Sequence, residues 1–128
     1  MSELVVRHFV TESTSNDSGV IPDAVSFGGL MVSVQIPLRT DGVREEGSIH
    51  AQTSVTLENL RTTLQVLGLG LDRVMHATIY LTDMADQKGM DSVWRDVFHE
   101  GSPSRATIGV SALAGGWMRI EVVAFIAE

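Results

Sequence analysis

Residues 119–127, RIEVVAFIA, restrict what this chain can fold into more than any other segment. An extended chain points successive side chains to opposite faces. Ile120, Val122, Ala124 and Ile126 then share one face, and Glu121, Val123, Phe125 and Ala127 share the other. Both faces are largely apolar, so both need cover. The chain offers only two helical segments, which make a single layer over one face. The second face is therefore expected to meet other copies of the chain, because a broad open apolar sheet on a small acidic protein invites aggregation.

The rest of the sequence supplies the elements. Residues 4–10, LVVRHFV, read as a first strand. Residues 24–27 and 30–36 flank Gly28-Gly29, a two-residue hairpin signal. After a charged loop at residues 39–47, Ser48 is placed to cap a helix in which Leu57, Leu60, Leu64 and Leu67 recur at helical spacing up to Gly68. Residues 74–81, VMHATIYL, are rich in β-favouring side chains. Asp83 or Asp86 opens a second helix whose apolar stripe is Met90, Val93, Trp94, Val97 and Phe98, closing at Gly101 before Pro103. Residues 106–110 and 119–127 form the last strands, joined around Gly115-Gly116. The predicted order is β-β-β-α-β-α-β-β, an α+β two-layer fold with two helices on one face of a mixed sheet. At 128 residues this is expected to be one domain, 1–128.

Composition removes several function classes. A net charge of −7 without a Lys/Arg cluster argues against nucleic-acid binding. With no cysteine there is no disulfide framework, thiolate metal site or cysteine nucleophile. His8, His50, His76 and His99 lie far apart and lack metal-ligand spacing, so each is expected to be structural or at the surface. Gly68-Leu69-Gly70 lacks the strand-to-helix setting of a dinucleotide loop. Ser33, Ser111 and Thr107 lack the signature of a nucleophile elbow. The N-terminal stretch is too polar for a signal peptide and no run is long enough to span a membrane, which makes the cytoplasm the expected location.

Two residues carry chemistry. Arg105 follows the turn at Pro103, at the mouth of an apolar strand, where a planar guanidinium suits a substrate carboxylate. Glu121 lies within the final apolar run. If the two strands meet, both groups are expected to face one small pocket. An apolar setting would raise the Glu121 pKa toward a range useful for acid–base work, whereas a direct pair with Arg105 would lower it.

The motifs occur in a recognisable series. Gln35-Ile36-Pro37 follows a strand; Gln52-Thr53 and Leu57-Glu58-Asn59-Leu60 lie in the first helix. Then come Ile79-Tyr80-Leu81-Thr82-Asp83-Met84, Val93-Trp94 through Phe98, Pro103-Ser104-Arg105-Ala106-Thr107 and Ile120-Glu121-Val122. In this order, over residues 22–127, the chain resembles the Rid/YjgF family of reactive-intermediate deaminases, also called the endoribonuclease L-PSP family. The resemblance implies a chorismate-mutase-like fold and a homotrimer with active sites in clefts between subunits. It also implies hydrolysis of small 2-imino or enamine acids to keto acids and ammonia, with neither metal nor cofactor. Arg105 falls on the family's carboxylate-binding arginine and Glu121 on the glutamate that positions water. Thr107 stands where many members carry cysteine, and Asp91 and Trp94 stand at the familiar Asn and Tyr of the second helix.

Two departures mark a divergent member. Gly19-Val20-Ile21-Pro22 lacks the family's tyrosine, and Ser33-Val34 replaces its Ser-Gly. Loss of that glycine changes how closely backbone N–H groups approach a ligand. An acidic Asp91 beside an anionic substrate is unfavourable unless it points away or is protonated. Three functions are thus in play: an imine deaminase, a non-catalytic trimer that binds small carboxylates or regulates a partner enzyme, and, against the acidic balance, a ribonuclease.

Overall fold

The computed structural model describes residues 5–9, 22–99 and 101–128. Its strands are β1 (Arg7–Phe9), β2 (Ala24–Phe27), β3 (Leu30–Gln35), β4 (Val74–Leu81), β5 (Ser104–Gly109) and β6 (Ile120–Ala127). The helices are α1 (Ile49–Val66), between β3 and β4, and α2 (Gln87–Val97), between β4 and β5. The predicted element order therefore holds. The departure at Gly19 to Ile21 lies outside the described residues.

Local chemistry accounts for the boundaries. Gly28 and Gly29 both adopt positive φ, 62° and 84°, which lets two residues close the β2–β3 hairpin. Ser48 caps α1 by accepting a hydrogen bond from the Ala51 N–H at 3.2 Å. At the other end Gly68 turns to φ 78°, and the Leu69 N–H reaches the Leu64 carbonyl at 2.8 Å. Asp83 accepts from the Ala85 N–H and caps a short 3-10 turn, Met84–Asp86, that runs into α2. This helix ends at Val97, ahead of the expected stop at Gly101. Phe98 leaves helical geometry there, and its ring packs 4.7 Å from that of Trp94.

The six strands form one sheet in the order β1-β2-β3-β6-β4-β5. Only β4 and β5 run parallel; the other neighbours are antiparallel. The expectation that β5 and β6 meet is corrected, because β4 lies between them. Helix α2 carries the chain back along the sheet, which makes β5 parallel to β4 on the outer edge. The chain then crosses the end of β4 to reach its other side. There the Val110 N–H donates to Leu81 O, and the Thr82 N–H donates to Arg119 O. Strand β5 also starts at Ser104, so Arg105 lies within the strand and its side chain is committed to one face.

Both helices cover the face that carries Met31, Ala77, Ile79, Leu81, Ile120, Val122, Ala124 and Ile126. Leu57, Leu60 and Leu64 of α1 fill this core and are at most 1% exposed. Leu60→Ala should therefore cost about 3 kcal/mol of stability by lost transfer energy and a residual cavity, measurable by urea unfolding. A band of polar groups crosses the same layer. Gln35 Nε2 donates to Ser33 Oγ and Thr63 Oγ1, while Ser33 Oγ donates to the Asp23 carbonyl at 2.7 Å. Asn59 Nδ2 donates to the carbonyls of Ile36 and Leu38 and pins the loop after β3.

Among the described residues no helix lies over the opposite face. Phe27, Leu30, Val34 and Ile108 are exposed there, and Val32, Val123 and Phe125 are only partly covered.

Candidate functional site

The sheet register decides which candidate residues can meet. Arg105 pairs with Ala77 and Thr107 with Ile79, and both partners are fully buried beneath the helices. Side chains of paired residues share a face. Arg105 and Thr107 therefore point to the helical side at the outer edge of the sheet. Glu121 pairs with Tyr80, between the helix-facing Ile120 and Val122, and so points to the open side. The expectation that Arg105 and Glu121 face one pocket does not hold within a chain. The candidates divide into two groups on opposite faces.

The first group surrounds Arg105. Its guanidinium Nη2 lies 2.7 Å from Asp91 Oδ1, an ion pair in which the side chains are 27% and 21% exposed. Asp91 Oδ1 is nevertheless buried without an aligned hydrogen bond, so the guanidinium approaches off the N–H axis. The Trp94 ring flanks the guanidinium, 5.5 Å from centroid to Arg105 Cζ, and Met90 Sδ lies 4.0 Å from Nη1. Trp94 is almost fully buried and belongs to the core, with one face turned to the arginine. Thr107 is half-buried two residues along the same strand face. Asp91 thus does not point away from the arginine: α2 presents a carboxylate directly to it.

The second group lies on the open side. Glu121 is half-buried among apolar neighbours, and this burial pushes its carboxyl above the usual carboxylate range. Because Glu121 has no direct pair with Arg105 within the chain, desolvation decides the direction of the shift. Tyr80 stands opposite it in β4. Val34, 44% exposed, pairs with Val123 on the same face. Ser33 is separated from this group: its buried hydroxyl is held by Asp23 and Gln35.

Tyr80, the only tyrosine of the chain, carries no site expectation in the sequence. Its place in the alternation of β4, one step from the buried Ile79, sets it on the open face opposite Glu121. His76, expected to be structural or at the surface, has both ring nitrogens bonded: Nδ1 is 2.7 Å from Ser104 Oγ and Nε2 is 3.1 Å from Thr78 Oγ1. His8, His50 and His99 are exposed. Among the described residues no cluster of three metal-ligating side chains occurs, and no helix is long and apolar enough to cross a membrane.

Comparison with known proteins places this geometry. The sequence profile of the family described as Endoribonuclease L-PSP matches residues 22–128. A RutC family protein of Pyrococcus horikoshii is 33% identical over 118 residues, covering 90% of this chain and 94% of that protein. The mitochondrial protein mmf2 of Schizosaccharomyces pombe is 30% identical over 119 residues, with the same coverage of 90% and 94%. Among solved structures, YyfA of Yersinia pestis, a protein of unknown function in the conserved Rid family, is 26% identical. It superposes with a TM-score of 0.89 over 97% of this chain and 100% of its own. A profile match spanning β2 through β6 and both helices, with this fold beneath it, shows that the chain belongs to the Rid/YjgF family, the endoribonuclease L-PSP proteins.

Proposed function

We propose that this protein is a cofactor-independent deaminase that hydrolyses small 2-imino or enamine acids to keto acids and ammonia. The observation that carries the reading is the position of Arg105 at a sheet edge against Trp94, with Thr107 beside it. A fork of N–H donors held by β-structure fixes a carboxylate in position and orientation. The protonated imine is already electrophilic. Water forms a bond to the imine carbon as the C=N π electrons move to nitrogen. Proton transfer from oxygen to nitrogen and cleavage of C–N then release ammonium: R–C(=NH2+)–COO− + H2O → R–CO–COO− + NH4+. Glu121 takes the proton from the attacking water and returns it to nitrogen.

In this reading the two groups of residues are halves of one site that is completed between subunits. Arg105, Thr107, Trp94 and Asp91 come from one copy; Glu121 and the Ser33-Val34 strand come from its neighbour. A homotrimer covering the open sheet face gives that arrangement and also covers Phe27, Leu30 and Val34. The chain would act in the cytoplasm, on small carboxylates and not on nucleic acid or a membrane.

The test supplies 2-iminopropionate in situ from an amino-acid oxidase and alanine. The protein should accelerate pyruvate and ammonia release over the uncatalysed rate. The second reading, a non-catalytic carboxylate-binding or regulatory trimer, has support from the ion pair that already occupies Arg105. It predicts ligand-dependent thermal stabilisation with no turnover across imino and keto acids.

Glu121 adds a pH dependence. A general base works ionised, so kcat/KM should rise with pH, with its midpoint above the ordinary glutamate value of about 4.3. Glu121→Gln should remove that limb of the profile. The stability effect has a definite sign. A carboxyl whose folded pKa is raised binds its proton more tightly in the folded state. Stability therefore falls as pH rises from the unfolded to the folded pKa and is level above it. Glu121→Gln should be more stable than the parent above that window, as thermal melts across pH will show.

A further inference from the structure

Asp91 has no assigned work in the reading above, and its placement gives it some. It sits on α2 facing β5, 2.7 Å from the Arg105 guanidinium, with Oδ1 buried and lacking an aligned hydrogen bond. Together the two charges make a neutral, dipolar wall between a helix and a sheet edge, with Trp94 and Met90 supplying its apolar side. A ligand with only a carboxylate gains from Arg105 and is repelled by Asp91 at nearly the same distance. A ligand carrying a carboxylate and a cationic nitrogen on the next carbon matches both groups, because its two charges are as closely spaced as theirs.

We infer that Asp91 reads the nitrogen end of the substrate, so that the site selects α-iminium and α-amino acids in zwitterionic form over α-keto acids. The inference rests on Arg105 being the carboxylate clamp. The iminium N–H group donates to the accessible side of the Asp91 carboxylate, whose side chain is 21% exposed, and the substrate carboxylate takes the guanidinium face. Hydrolysis replaces that cationic nitrogen with a neutral carbonyl oxygen, which cannot donate. The keto acid then faces Asp91 with uncompensated negative charge, and product leaves more readily than substrate. Asp91 is thus a specificity residue that touches the reacting nitrogen. Its competing role is only structural, an ion pair that ties α2 to β5.

Pyruvate and L-alanine separate the two roles, since they share a three-carbon acid skeleton and differ at the α position. Their affinities are measured by NMR titration for the parent, Asp91→Asn and Arg105→Ala. The parent should bind L-alanine at least about tenfold more tightly than pyruvate. In Asp91→Asn that preference should fall by at least about tenfold, with pyruvate binding more tightly than in the parent. Because the ratio is taken within one variant, any loss of folded protein cancels. An unchanged ratio in Asp91→Asn, with both ligands still dependent on Arg105, overturns the inference and leaves the clamp standing. If neither ligand binds in an Arg105-dependent way, the clamp reading fails and this inference fails with it.

Discussion

Arg105→Ala should lower kcat/KM for 2-iminopropionate by about 30- to 300-fold while the assembly keeps its size in gel filtration. Removing one member of a desolvated charge contact typically costs about 2–5 kcal/mol, and about 1.4 kcal/mol corresponds to a tenfold change. The lower part of that range applies, because the Arg105 side chain retains 27% exposure. Two effects act together. The substrate loses its carboxylate anchor, and Asp91 is left as an uncompensated negative charge beside the vacated position. Arg105→Ala/Asp91→Ala should therefore be less impaired toward carboxylates than Arg105→Ala alone. Arg105→Lys keeps the charge but loses the fork, so it should fall between the parent and Arg105→Ala. Unchanged turnover in Arg105→Ala, measured as keto-acid release, would remove the arginine from the mechanism.

Much of the fold is legible in the sequence because its signals are local. The paired glycines at 28 and 29, the Ser48 cap, the leucine spacing of α1 and the alternation of the last strand each act within a few residues. Their boundaries follow to within a few positions. What the sequence does not show is which strand lies beside which. Nothing in residues 104–127 announces that β4 occupies the space between β5 and β6. That follows from the crossover through α2, a contact between segments far apart in the chain. Since register sets the face of every side chain, this one fact moves Arg105 and Glu121 to opposite sides of the sheet.

The candidate site is legible in the same measure. Motif order names Arg105, Thr107, Asp91 and Trp94 separately, and the structure gathers them at one edge. Motif order also names Ser33, which the fold uses instead to bind Asp23 and Gln35 inside the helical layer. The contact between Asp91 and Arg105 joins residues on α2 and β5, and no periodicity of either element predicts it. Local patterning picks out candidate residues, whereas their partners depend on packing.

The division of the site makes the second large prediction. Arg105→Ala and Glu121→Ala should each be nearly inactive alone, since in the proposed assembly each would lack one half of every site. Mixed assemblies should behave differently. When the two variants are co-expressed in equal amounts, some neighbouring pairs bring an intact Arg105 from one copy to an intact Glu121 from the next. In a cyclic assembly with random mixing, about a quarter of the sites are complete in this way. A site completed between subunits, as proposed, predicts this outcome, and a site contained within one chain forbids it.

Complementation is therefore the most direct measurement of the account. Assemblies containing both variants are purified on two different tags and assayed for release of pyruvate from 2-iminopropionate. Recovery of about a third of the parent activity per subunit is the predicted result, because every mixed ring of three has one complete site. Mixed assemblies of normal size that remain as inactive as either variant alone would contradict it.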